Sequence, residues 1–495
     1  MSIVSLESAD EKNVSASILN FLTAYGVISL LSKCGGTKLK GVPVKALFTY
    51  TLTNVFRMGS FYMQNKLGKI HDGFSKNTYY RFLMSPRTNW LRFTTLLSAR
   101  IINGHLRDLT SENRDDCFVI DDSLYERAGF KRTELASRVF DHVSMRFKKG
   151  FRLLTLGWTD GCTFLPINYS LLASNDDEKV LGPCNKIDRR TIAGKRRLMA
   201  RQKATSVMVD LLKTALAAGH KAKYVLFDNW FSNPQQLLDI KKLGLNTIAM
   251  VKRSSKRFYI FEGKSMDIKK IFATSKKRRG RSRYLLSVTV KVGQDKNGEN
   301  GIDARIVCVR NRNNRKDWIA IICTDMSLSE NDIIRIYGHR WDIEVFFKTC
   351  KSSLLLRKEY HGLSYDGLTA HVAMVFTRYM LLAVSKRDNE DDRTLGELFY
   401  IMISEVADIT YQESMQIIVE AMLATVQEEF HIDDAQIETR EVYVQAAGVH
   451  ATPIAGGLRI LSLEIYGFQG AVSIFYVGSL RITIIHHRRA VLHQI

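Results

Sequence analysis

The chain has 495 residues, enough for two to four domains, and its 45% hydrophobic and 25% charged residues suit a protein that buries a core. Its net charge of +22 attracts polyanions, nucleic acid first and anionic membrane second. The seven cysteines are scattered, odd in number and without a Cys-x-x-Cys pair, which excludes a zinc ribbon and a disulfide framework and points to a reducing compartment.

Residues 1–110 read as helical. Ser15 to Leu31 and Val42 to Met58 are long amphipathic runs, with Pro43 tolerated in a first helical turn. Acidic Glu7, Asp10 and Glu11 argue against a secretory signal at this end. Ser75 or Asn77 can cap a short helix carrying Lys76, Tyr79, Tyr80 and Arg81. Pro86 ends it, and Asn89 to Ile102 starts a longer one. Short helix, turn, longer helix, with basic and aromatic residues interleaved, fits either a helix-turn-helix-like DNA reader or a plain helical bundle.

The texture changes at Cys117. Cys117 to Ile120 is an apolar, strand-forming run that ends in Asp121-Asp122-Ser123. Strand patterns follow at Phe151 to Gly157 and Phe164 to Leu172, and Asp160-Gly161 between them makes a hairpin turn. This order is that of a ribonuclease-H-like sheet. Residues 185–203 hold Lys186, Arg189, Arg190, Lys195, Arg196, Arg197, Arg201 and Lys203, either a solvated face or a phosphate-contacting arm. A helix follows over Ala204 to Ala218, with Gly219 as its cap. Tyr224 to Phe227 is then an apolar strand delivering Asp228, before a helix over Pro234 to Leu243.

Residues 251–325 are basic at first, then strand-like over Tyr284 to Val292, Ala304 to Arg310 and Trp318 to Thr324, and read as an inserted β-domain. The stretch from Asn331 to Leu356 has helical spacing. Its Tyr337, Arg340, Glu344, Lys348 and Lys351 stand at steps of 3, 4, 4 and 3 and would share one helix face. Leu368 to Val384 contains His371 and Arg378 and reads as a buried helix rather than a bilayer span, so no membrane partner is expected. Residues 388–453 read as helical. The tail over 454–495, glycine-rich and β-branched, leaves the helical pattern and has no assignment.

Tyr337, Arg340, Glu344 and Lys351, at gaps of two, three and six residues, resemble the Tyr-Arg-Glu-Lys signature of bacterial insertion-sequence transposases of the DDE class. The resemblance covers roughly residues 74–385. It implies an α/β chain with a ribonuclease-H-like core (111–250 and 326–387), an inserted β-rich domain (251–325), an N-terminal helical DNA-binding region (1–110) and a helical C-terminal region (388–453) suited to dimerisation. It implies that Asp122, Asp228 and Glu344 form a catalytic triad holding Mg²⁺, for which Mn²⁺ can substitute. Asp122, which precedes Ser123, matches the family pattern better than Asp121. Tyr337, Arg340 and Lys351 would contact DNA phosphate, joined by Lys348 and by Lys76 and Arg81 of the N-terminal helix. Trp318 would stack on a flipped base, or else head a core strand. The implied partners are double-stranded DNA, at transposon ends and target, and a second copy of the chain, in the cytoplasm of a bacterium on nucleoid DNA. The implied reaction is cleavage at terminal inverted repeats and joining of the 3′ ends to target, with a hairpin as one second-strand route. A nuclease that cuts without joining and an inactive DNA-binding relative stand as alternatives.

Overall fold

A computed structural model of the chain describes residues 18–38, 40–57, 61–66, 74–111, 114–141, 144–278, 282–293, 301–311 and 317–388, with strand segments between 452 and 487. They fall in two compact units, residues 1–409 and 410–495.

The larger unit is built on an eleven-stranded mixed sheet. Its order is β2 (Ser137–Asp141), β3 (Arg146–Thr159), β1 (Cys117–Glu126), β5 (Tyr224–Phe227), β6 (Asn246–Met250), β11 (Trp318–Cys323), β10 (Ile302–Arg310), β9 (Leu286–Val292), β7 (Phe258–Phe261) and β8 (Lys264–Asp267), while β4 (Phe164–Leu172) pairs with β3 off this path. β1 runs antiparallel to β3 and parallel to β5, and β5 is parallel to β6. This mixed α/β architecture is consistent with a ribonuclease-H-like domain. Every residue of β4 is buried, as expected of a continuous apolar run covered on both faces. The β3–β4 turn has Gly161 at φ 81°, where a side chain would be strained. Asp160, only 2% exposed, accepts the amides of Cys162 and Thr163 as a turn residue should. It also binds Thr110, Arg114 and Arg387.

The strands expected to form a separate inserted domain do not have a sheet of their own. β11 pairs antiparallel with β6, Ile321 opposite Met250, and β10, β9, β7 and β8 continue the same sheet outward. The open edge of β6 offers unpaired amides and carbonyls, and an apolar strand returning there satisfies them.

The N-terminal region supplies α1 (Val27–Lys33), α2 (Val44–Thr53), α3 (Phe61–Lys66), α4 (Lys76–Leu83) and α5 (Trp90–Ile101). Ser75 caps α4 by accepting the Thr78 amide, and Asn89 caps α5 by accepting that of Arg92. The predicted short helix, turn and longer helix are therefore present. The longer helix buries Trp90, Phe93, Leu97 and Ile101 and packs on β4. Lys76 and Arg81 of α4 are exposed.

Beyond β4 come α6 (Ile192–Ala200), α7 (Ala204–Ala217), α8 (Pro234–Lys242) and α9 (Ile268–Thr274). The basic run at 185–203 divides its duties. Arg197 donates bidentately to Glu134 and also to Asp366, all three buried. Lys186, Arg189, Arg190 and Lys195 are exposed. α10 (Glu330–Gly338), α11 (Trp341–Ser352) and α12 (Tyr365–Asp388) complete the unit. α12 is the one described helix long and apolar enough to cross a membrane, and it is buried inside the protein. Its Arg378, fully buried, is held by Glu359 and by the carbonyls of Leu52 and Thr51, which satisfies a charge the core could not otherwise keep.

In the smaller unit, β12 (Thr452–Ile454), β13 (Leu458–Gly467), β14 (Gly470–Val477) and β15 (Ile482–His487) form an antiparallel meander. The helical region expected over 388–453 lies outside the described residues from 389 to 451.

Candidate carboxylate site

The register of two strands builds the site. β1 and β5 run parallel with Ile120 opposite Phe227, so the next step along both chains sets Asp121 beside Asp228. Neighbouring strands lie about 4.8 Å apart, which brings two carboxylates together. Successive side chains of a strand point to opposite faces, so Asp121 and Asp122 diverge. Asp121 feels the charges of both Asp228 and Glu344, and burial together with those charges pushes its carboxyl up to about 8. Asp122 instead forms an ion pair with Arg152 of β3 and donates its amide to the Asp121 carboxylate. The strand also runs on to Glu126 rather than stopping before the aspartates. Of the two neighbours it is the Asp121 carboxyl that feels Asp228 and Glu344, while the expected Asp122 is paired with Arg152.

Glu344 arrives on a helix that is not continuous. The single helix expected over 331–356 is split into α10 and α11. Ser329 caps α10 by accepting the Asp332 amide. After Gly338, His339 and Arg340 keep helical backbone angles, but their amides bond three residues back, to Ile336 and Tyr337, at 3.0 and 3.1 Å. This tighter step is a kink at a glycine, where an added Cβ would meet nothing within 4 Å. Tyr337 thus lies buried on α10, Arg340 at the break, and Glu344, Lys348 and Lys351 on α11. Arg340, 12% exposed, reaches from the break to Asp121 at 3.3 Å and Glu344 at 3.4 Å.

The remaining predicted residues sit around this centre in different ways. Burial pushes the Tyr337 hydroxyl up to about 12, so it stays protonated. Lys351 is half-buried, and burial, with Arg357 nearby, lowers its ammonium below the usual value. Lys348 is exposed. Asp228 accepts the backbone amide of Trp230, which fixes the turn after β5. Trp318 is half-buried: Phe272 stacks on its ring at 4.1 Å and 15°, and Arg253 lies over the ring at 5.2 Å. Lys76 and Arg81 belong to α4, among the N-terminal helices.

Arg152 and Trp230 were not singled out from the sequence. Arg152 interacts electrostatically with Asp121 and Asp228, and its guanidinium lies 5.2 Å from the centre of the Trp230 ring. A lone arginine inside the apolar run from Phe151 to Trp158 was the available signal.

The donor set is oxygen only, as hard divalent cations require. Among the described residues no group of three or more side chains is already arranged as a metal cage. The observation that tests the fit is Arg340: a cation is already drawn between Asp121 and Glu344, and it leaves the Asp121 carboxyl still raised. Arg340 and Arg152 together do not bring the Asp121 carboxyl back to its ordinary range, and a divalent cation, with more charge on one centre, suits these carboxylates.

Residues 63–290 match the family described as DDE superfamily endonuclease, and residues 200–381 match the family described as transposase DDE domain. The first match contains Asp121 and Asp228, and the second contains Asp228 and Glu344. No curated protein matches the chain.

Proposed function

Because this chain belongs to the DDE transposases, DNA-acting enzymes of nuclease type that generally use divalent metals, we propose that it is the transposase of a bacterial insertion sequence and that Asp121, Asp228 and Glu344 are its cation ligands. The observation that carries the residue assignment is the parallel register that sets Asp121 beside Asp228. Mg²⁺, or Mn²⁺ in its place, would be held by these three carboxylates and, when bound, supplies activation of water and neutralisation of charge on the phosphodiester.

The protein's own groups do the rest. Asp121 is held rigidly within β1, Asp228 by its turn, and Glu344 on the first turn of α11, so all three present oxygens with little freedom to lose. Arg340 shields the carboxylates from one another in the free protein. Its guanidinium would offset the charge that develops on the phosphorus centre. Tyr337, Lys348 and Lys351 bind the flanking phosphates. The reaction is cleavage at terminal inverted repeats followed by joining of the 3′ ends to target, by cut-and-paste, with a hairpin as one second-strand route. Two copies of the chain pair two DNA ends, and the region over 388–453 is the expected contact.

The test is cleavage of a duplex carrying the element's terminal inverted repeat, with Mg²⁺, by wild type and Asp228→Ala. Cutting by wild type alone is expected; equal cutting by both refutes the site. The endonuclease description of the first matching family favours a second reading, a nuclease that cuts without joining. Covalently joined product in a strand-transfer assay excludes it.

A further inference from the structure

A cavity of about 630 Å³ lies away from the carboxylates, between α2, α3 and α4 on one side and the segment from Glu359 to Gly362 on the other. None of Asp121, Asp228, Glu344 or Arg340 lines it. Its volume is in the range of small-molecule sites.

The lining is aromatic within and basic at the rim. Phe61 and Tyr79 stack at 4.0 Å and form a buried floor. Tyr80 is half-buried, edge-on to Phe61 at 5.7 Å and tilted against Tyr360 at 6.4 Å. Tyr62 is 46% exposed, which the packing of a core does not require. The ammonium groups of Lys66 and Lys76 lie 5.1 and 5.9 Å from the centre of its ring. The acid in the wall, Glu359, is already spent on Arg378 and Asn54, so the mouth presents cations. Tyr360, 4% exposed, also lines the cavity.

A flat ring that stacks on tyrosine and a phosphate that meets lysine together describe a nucleotide. Stacking of a base on an aromatic side chain is worth about 1–3 kcal/mol and tolerates any base. The cavity is also tied to the carboxylate strand. Arg127, just past the end of β1, donates to the carbonyls of Tyr360 and Gly362 at 2.7 and 2.9 Å. Asp121 lies six residues earlier, about 20 Å along a strand.

We propose that this cavity binds a nucleotide, with its base against Tyr62 and Tyr80 and its phosphate on Lys76. On the transposase reading, which this source rests on, the nucleotide is an unpaired one in the bound DNA strand; a free nucleotide offers the same chemistry.

The experiment is fluorescence anisotropy of the full chain in EDTA, with a labelled single-stranded oligonucleotide and with a blunt duplex of the same length. Tyr62→Ala and Lys76→Gln are expected to weaken single-strand binding about tenfold each and duplex binding less than twofold. Tyr62→Phe, which keeps the ring, is expected to bind as wild type does, and thermal unfolding of each variant checks that it is folded. Deoxynucleoside monophosphate as competitor separates the sources: displacement of the oligonucleotide assigns the cavity to free nucleotide, and no displacement assigns it to the strand. Single-strand affinity unchanged in Tyr62→Ala and Lys76→Gln overturns the proposal, as does an equal loss on duplex. Since no cleavage is read, failure of the triad assignment and failure of this inference are told apart.

Discussion

Replacing Asp121 or Asp122 by asparagine separates the two neighbours by their energetics. Burial first, then the charges of Asp228 and Glu344, push the Asp121 carboxyl from its ordinary 3.8 to about 8, against the pull of Arg340 and Arg152. A carboxyl whose pKa rises on folding contributes its full stability below the unfolded value, and that stability is lost as pH rises through the folded value. The window here runs from about pH 4 to about pH 8, and each unit within it costs about 1.4 kcal/mol. At pH 7 the cost from this one group is on the order of 4 kcal/mol. Asp121→Asn keeps the shape and removes the titration. In EDTA it should therefore be more stable than wild type at pH 7 by a few kcal/mol, with a flatter pH dependence. Asp122→Asn should keep the wild-type slope and lose only its bond to Arg152, about 1–2 kcal/mol. The assay is urea unfolding at a series of pH values, with EDTA and again with Mg²⁺. Cation binding should stabilise wild type and Asp122→Asn far more than Asp121→Asn. A wild-type stability flat between pH 4 and 8, or the same slope in Asp121→Asn, would refute this reasoning.

Arg340→Ala takes the guanidinium away from Asp121 and Glu344. Cleavage of the terminal-repeat duplex should fall about 10²- to 10³-fold, as when a preorganised charge-stabilising group is removed. Arg197→Met leaves Glu134 and Asp366 buried without their shared fork, and chemical unfolding should show a loss of about 3–5 kcal/mol. Trp318→Ala removes the partner stacked on Phe272. It should cost about 2 kcal/mol of stability, while the cleavage rate per folded molecule stays close to that of wild type.

The sequence by itself determined the order of elements and the chemical character of the site. Apolar runs at Cys117, Phe164 and Tyr224 marked strands because a strand covered on both faces must be apolar throughout. Asp160-Gly161 and Gly219 marked boundaries because turn and cap chemistry is local. Asp228 was legible as the end of such a run, and Glu344 from its place on one face of a helical stretch. Three matters were decided only by tertiary structure. Which aspartate faces inward depends on the register of β1 against β5, and a one-residue step reverses the face. The helix expected over 331–356 is split after Gly338, and Arg340 at the break meets Asp121, a contact 219 residues away that no local spacing encodes. The strands after residue 251 join the main sheet because β6 has an edge to fill, and whether a strand completes one sheet or starts another depends on what else is exposed beside it. The basic run at 185–203 was open between a solvated face and a phosphate arm, and Arg197 within it is a buried clamp, since burial, which no composition reports, decides whether a cation meets solvent or a carboxylate.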